Sequence, residues 1–263
     1  MIESYQNIEF ENRYYKGFQL SVEEVDGLLQ NEIKKNLLDT EQRESLSDVL
    51  KALPIDTGFE MSDSLLLDIQ SLENEKINVP NWRIGEAMAE VVLEKEFQCR
   101  FHWNELRDAR NPQGNKTGAD LVGFIELEGQ VLFLFGEVKT SSEINNRPPQ
   151  VMTKSDGIEN QLNDLYKNRE KRLILISYLQ SKANILPDGH QFKIDFSEAI
   201  RNYYKKYQLI GILIRDVVSD EADLRKSYER LKTQILNPQG LSLLALYVSV
   251  PKENWLNIIN ESQ

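Results

Sequence analysis

Asp120 stands seventeen residues ahead of an acid-x-base triplet, Glu137-Val138-Lys139. Two apolar runs, Leu121 to Leu127 and Val131 to Phe135, lie between them and are separated by Glu128-Gly129-Gln130. That pattern predicts a β-hairpin with Asp120 opening one strand and the triplet ending the next. Residues i and i+2 of a strand project to one face, so Glu137 and Lys139 point the same way. The hairpin can bring Asp120 beside them. Two carboxylates in reach of one point make a site for a hard cation such as Mg²⁺, or Mn²⁺ in its place, with the Val138 carbonyl as a further ligand. A lysine beside them supplies fixed positive charge for a phosphate or for a water attacking it.

The bland alternative is a solvated edge strand with a cross-strand ion pair. Against it, Glu137 and Lys139 end a strand that is apolar from Val131 to Phe135. Such a strand is expected to be buried on both faces, where unpaired charge is costly and needs a reason.

Asp120 with Glu137-Val138-Lys139 resembles the active-site signature of the PD-(D/E)xK phosphodiesterases, the restriction-endonuclease-like superfamily. Ala119 replaces the usual proline. The resemblance covers about Trp82 to Tyr166 and implies a mixed central sheet flanked by helices, with metal-dependent cleavage of DNA. It also implies an acid on the helix before the hairpin. Gly85-Glu86 and Glu90 occupy that helix, and Glu86 is taken as the catalytic acid, with Glu90 the alternative on the same face. A glutamine on the helix after the Glu-x-Lys strand is implied as a DNA contact, which places Gln161 there. Tyr166 lies five residues beyond Gln161, which misses the spacing of the RecB-like branch. In size, in its Gly-Glu helix and in its long N-terminal preface, the chain further resembles the nuclease subunit of Hachiman-type antiphage systems. That resemblance implies a helicase partner.

The elements that must position these residues are legible in outline. Residues 1 to 80 read as an acidic, mostly helical N-terminal region suited to partner docking. Ser21 and Glu24 have capping-box spacing. Thr40 begins a second helix that Pro54 is expected to end, and a third spans Ser62 to Leu72. Asn78-Val79-Pro80-Asn81 marks the junction. Residues 81 to 263 then read helix, strand, strand, strand, helix, followed by an α/β extension. Gln98 to Trp103, Leu209 to Ile214 and Leu243 to Val250 are strand candidates. Leu173 to Lys182 fits a helix or a buried strand equally well.

Net charge is −11, which argues against a free-standing nucleic-acid binder. The acidity is local. Residues 1 to 80 hold 17 acidic and 7 basic side chains, leaving 25 and 24 in the remainder, a net of −1. Arg100, Arg107, Arg110 and Lys116 precede the hairpin. Of these, Arg107, Arg110 and Lys116 are the DNA-contact candidates, because they share a loop that runs directly into Asp120. Lys167, Arg169, Lys171 and Arg172 form a second basic group. The single cysteine, Cys99, excludes an intramolecular disulfide framework and fits a reducing, cytoplasmic setting. No apolar run is long enough to span a membrane.

The reading is a Mg²⁺-dependent deoxyribonuclease, the nuclease component of a bacterial antiphage system working with a helicase. The alternative is an inactive nuclease-fold module that docks a larger nucleic-acid machine.

Overall fold

A computed structural model of the chain describes residues 1–58, 60–74, 76–102 and 118–261. The chain opens with strands β1 (Ile2–Phe10) and β2 (Arg13–Leu20). Helix α1 (Val22–Leu28) continues through a π-helical turn at Leu29–Ile33 into α2 (Lys34–Leu38). Helices α3 (Thr40–Thr57), α4 (Asp63–Glu73) and α5 (Asn81–Glu96) follow. Next come β3 (Cys99–Arg100), β4 (Leu121–Leu127) and β5 (Gln130–Thr140). Four helices succeed them: α6 (Gln150–Thr153), α7 (Ile158–Lys167), α8 (Arg169–Ile185) and α9 (Gln191–Asn202). Strand β6 (Gln208–Arg215), α10 (Arg225–Gln234), β7 (Gly240–Val248) and α11 (Trp255–Glu261) complete the chain.

Among the described residues seven strands form one mixed sheet in the order β1-β2-β7-β6-β5-β4-β3. The four central strands, β2, β7, β6 and β5, run parallel. An antiparallel strand closes one edge and the β4/β3 pair closes the other. Strands β6 and β7 are buried along their whole length, which explains why they read as continuous apolar runs instead of alternating ones. One face of the sheet is covered by α1, α2, α5 and α11, which supply Val25, Leu37, Ile84, Met88 and Trp255 to its core. The other is covered by α7 to α10 through Leu162, Leu165, Ile176, Phe192 and Tyr228. The architecture is therefore α/β, a mixed sheet between two helical layers.

Two expectations need correction, and a choice left open is decided. The N-terminal region is helical only from Val22 onward, and its first twenty residues are strands. β2 pairs with β7 over its full length, Arg13 opposite Leu241 and Leu20 opposite Val248, so it belongs to the sheet. Tyr15 and Phe18 are buried on opposite faces of that strand, and a two-sided pattern of this kind carries no alternation to signal it. Second, α3 runs past Pro54 to Thr57, because a proline in the last turn removes only one ladder bond. The ambiguous stretch from Leu173 to Lys182 is the middle of α8. The Ser21–Glu24 capping box is present in both directions. No helix among the described residues is long and apolar enough to cross a membrane.

Candidate active site

The hairpin forms with Leu121 opposite Gly136, Val122 opposite Phe135 and Phe124 opposite Phe133. Asp120 precedes that register by one residue, and its backbone N–H donates to the Gly136 carbonyl at 3.0 Å. Val122, Phe124, Phe133 and Phe135 belong to one core, so the two-residue period puts Asp120, Glu137 and Lys139 on that same face. The Val138 N–H donates to Asp120 Oδ2 at 3.0 Å, which ties the first carboxylate to the strand bearing the second. A strand residue presents its N–H and C=O to the same edge. The Val138 carbonyl is thus directed toward the Asp120 side.

Lys139 Nζ donates to Glu137 Oε1 at 2.5 Å. The lysine side chain is 26% exposed and the glutamate 7%. Burial, and after it the charge of Asp120, pushes the Glu137 carboxyl well above the ordinary range, with Lys139 pulling the other way. Asp120, Glu137 and Lys139 line one cleft, the glutamate nearly enclosed and the lysine partly exposed. Hard oxygen donors gathered in this way suit a divalent cation. No group of three His, Cys, Asp or Glu side chains among the described residues converges as a complete cage. Water and substrate oxygens would therefore complete the shell of an ion held by two carboxylates, as Mg²⁺ commonly requires.

The cleft has a volume of about 490 Å³ and is lined from both helical layers. Glu86 enters from α5 and Gln161 from α7, beside Asp120, Glu137, Lys139 and Thr140. Gly85 makes the first of these approaches possible: a Cβ there would come within 2.6 Å of the Thr140 hydroxyl oxygen. The helix can lie this close to the end of β5 only without a side chain at that position. Glu86 is 3% exposed and accepts from Arg83 Nη1 at 3.1 Å.

The structure separates Glu86 from its alternative. Glu90 lies one turn deeper, accepts from Asn36 Nδ2 at 3.0 Å and does not line the cleft. Burial raises its carboxyl to about 7, against the opposing pull of Arg83.

The basic groups sort differently from their grouping in sequence. Arg107, Arg110 and Lys116 lie outside the described residues. Arg100 is committed to internal pairing, with Nε 2.7 Å from Asp195 Oδ2 and Nη1 3.2 Å from Glu126 Oε2. Arg172 is buried against the Tyr203 hydroxyl and the Leu165 and Tyr166 carbonyls. Lys171 does reach the cleft. Its stem packs on Gly118, where φ is +113° and a Cβ would meet Lys171 Cε at 2.5 Å.

Trp82 and Thr140 line the cleft without a role read from sequence, and Lys171 comes to it from the second basic group. Trp82 had a signal, standing four residues before Glu86 and so on its helix face. The basic group did not indicate which of its members reaches the cleft, because that depends on how α8 packs. No protein-family model matches this chain, and no curated protein matches it.

Proposed function

We propose that the protein is a metal-dependent nuclease of the PD-(D/E)xK kind, cleaving phosphodiester bonds of DNA. The observation that carries this reading is the convergence of Asp120, Glu137, Lys139 and Glu86 on one cleft from three separate elements. A scattered surface ion pair would not gather a second carboxylate, a helix acid and a backbone carbonyl around the same lysine.

Asp120 and Glu137 would hold Mg²⁺ with the Val138 carbonyl. When bound, such an ion polarises a phosphoryl oxygen and lowers the pKa of water. Asp120 keeps its orientation through the Val138 N–H. Lys139, which donates to Glu137, would orient the attacking water or stabilise the charged phosphoryl oxygens. Glu86 is held by Arg83 within the same helix, so its carboxylate faces the cleft in one fixed setting. Gln161 would donate its amide to a backbone phosphate.

A protein partner fits the remaining part of the molecule. Helices α3 and α4 pack mainly on each other. Arg43 fastens them by donating to the Ser71, Leu72 and Asn74 carbonyls at the end of α4. Leu46, Val49, Leu66 and Leu67 stay exposed on this pair. Residues 40 to 73 carry 8 acidic and 2 basic side chains. A partner with an apolar groove and a basic rim complements that surface, and a DNA-delivering helicase is the partner that the Hachiman resemblance implies.

Plasmid, single-stranded DNA and RNA incubated side by side with Mg²⁺ or a chelator test the activity. Cleavage of DNA by the wild type, lost on chelation and in both Glu137→Ala and Lys139→Ala, is the expected result. Equal cleavage by both variants would show that the motif is not the site.

A further inference from the structure

The structure describes two tryptophans that differ sharply in setting. Trp255 is fully buried, and its indole N–H donates to the Val250 carbonyl at 3.1 Å. This is the ordinary condition of a structural tryptophan, apolar body enclosed and polar tip satisfied. Trp82 is 50% exposed and sits in the first turn of α5, where it lines the cleft with Glu86, Asp120, Glu137 and Lys139. A large aromatic side chain with half its surface exposed beside charged groups gains little as core. It gains a great deal from a flat ligand.

Lys171 faces the same space. Its stem lies along Gly118, and its ammonium contacts Asp164 Oδ2 at 2.8 Å. The cleft therefore presents an aromatic plane, two lysines and a cation-binding carboxylate pair. A nucleotide has the matching parts, a π-face and an anionic phosphate. Stacking of a base on an aromatic side chain is tolerant of sequence, because every base has a π-face. In a duplex those faces are covered by neighbouring base pairs. Only an unpaired or extruded base can offer one to an indole.

We propose that Trp82 is a base-stacking residue and that the substrate of this site is nucleic acid unpaired at the scissile position, with Lys171 positioning an adjacent phosphate. The inference rests on the nuclease reading for cleavage but not for binding, so the two can fail separately.

The test uses the full chain and a fluorescein-labelled oligothymidylate, alone or paired with oligoadenylate. Binding is read by anisotropy in the Lys139→Ala background, where cleavage is expected to be absent. Trp82→Ala should weaken single-strand binding about tenfold, the change that stacking of one base produces. Duplex binding should be unchanged, and Trp82→Phe should restore most of the single-strand affinity. Lys171→Met should weaken binding and lower its salt dependence by about one released counterion. If Trp82→Ala binds the single strand as tightly as its parent, or loses both forms equally, the stacking role is overturned. Parallel cleavage assays of the wild type distinguish the outcomes. Cleavage that is indifferent to strandedness and to Trp82 overturns this inference and leaves the nuclease reading intact. Trp82-dependent binding without any cleavage does the reverse. Absence of both binding and cleavage removes both.

Discussion

Glu137 and Asp223 each face a cation at hydrogen-bond distance beside strands of the same sheet, yet their surroundings are opposite. Asp223 is fully buried and saturated. Its Oδ1 accepts from Arg215, and its Oδ2 accepts from Arg147 at 3.0 Å and the Tyr247 hydroxyl at 2.8 Å. Tyr247 in turn meets the Tyr5 hydroxyl at 2.8 Å, which binds the edge strand into the same network. Arg215 also reaches the Glu143 carbonyl, and Arg147 reaches the Val218 carbonyl at 3.0 Å. These bonds clamp the segment that follows Lys139 against the one that follows β6. Asp223 thus meets two guanidinium groups, of which Arg147 also pairs with Asp220 at 3.4 Å. In the cleft Glu137 meets a lysine that is 26% exposed, in a space that solvent can enter. An acid and a base near a strand end therefore say little by themselves. Solvent access separates the sealed pair from the one that lines an open cleft.

The largest effect expected from this contrast lies in activity. Lys139→Ala and Glu137→Ala should each lower DNA cleavage by about 10²- to 10³-fold or more, the loss typical of removing one group that stabilises transition-state charge. Their thermal unfolding should stay within a few degrees of the wild type. Arg215→Leu should do the opposite. Removing one partner of a buried pair costs about 3–5 kcal/mol, and urea unfolding would measure it. In a chain of 263 residues that corresponds to a fall in Tm of about 10 °C. Comparable losses of stability in Lys139→Ala and Arg215→Leu would break the comparison, since both groups would then be scaffold.

Glu90 sharpens it as a third case, a carboxylate that is enclosed but under-compensated. Arg83, Glu86 and Glu94 on its own helix and Asn36 from α2 are the groups acting on it. Its folded-state value of about 7 exceeds the ordinary 4.5. A raised carboxyl binds its proton more tightly when folded, so stability is lost as pH climbs from about 4.5 through 7 and stays lost above. The cost is on the order of 3 kcal/mol at most. Glu90→Gln keeps an acceptor for Asn36 and removes the charge. It should raise Tm at pH 8 and leave it nearly unchanged at pH 4.5. A gain of equal size at both values would show that ionisation is not the cause.

The smallest effect is expected on the exposed pair α3 and α4. Val49→Ser with Leu67→Ser should shift stability by no more than about 0.5 kcal/mol per site, as exposed substitutions usually do. Co-purification with the neighbouring gene product should nevertheless fall if these leucines and valines dock a partner. Undiminished capture would remove the docking role while leaving the two polar clusters untouched.

What the sequence determined by itself is local. The two-residue period of β4 and β5, with Glu128-Gly129 turning between them, already puts Asp120, Glu137 and Lys139 on one face. Covalent geometry sets that period, so no distant contact was needed to read it. The Ser21–Glu24 cap and the unbroken apolar runs of β6 and β7 were legible for the same reason. The tertiary structure alone decided the rest. Tyr15 lies opposite Leu243 across 228 positions of chain, a pairing that depends on which buried surfaces find each other. Arg100 became an internal clamp on Asp195 because α9 packs over β4 and β5. Trp82 and Lys171 reached the cleft because two helices from opposite layers end at the same strand ends. Side-chain chemistry was visible in the order of residues, but the enclosure of each group depends on long-range packing, and that enclosure distinguishes the Glu137 pair from the sealed Asp223 pair.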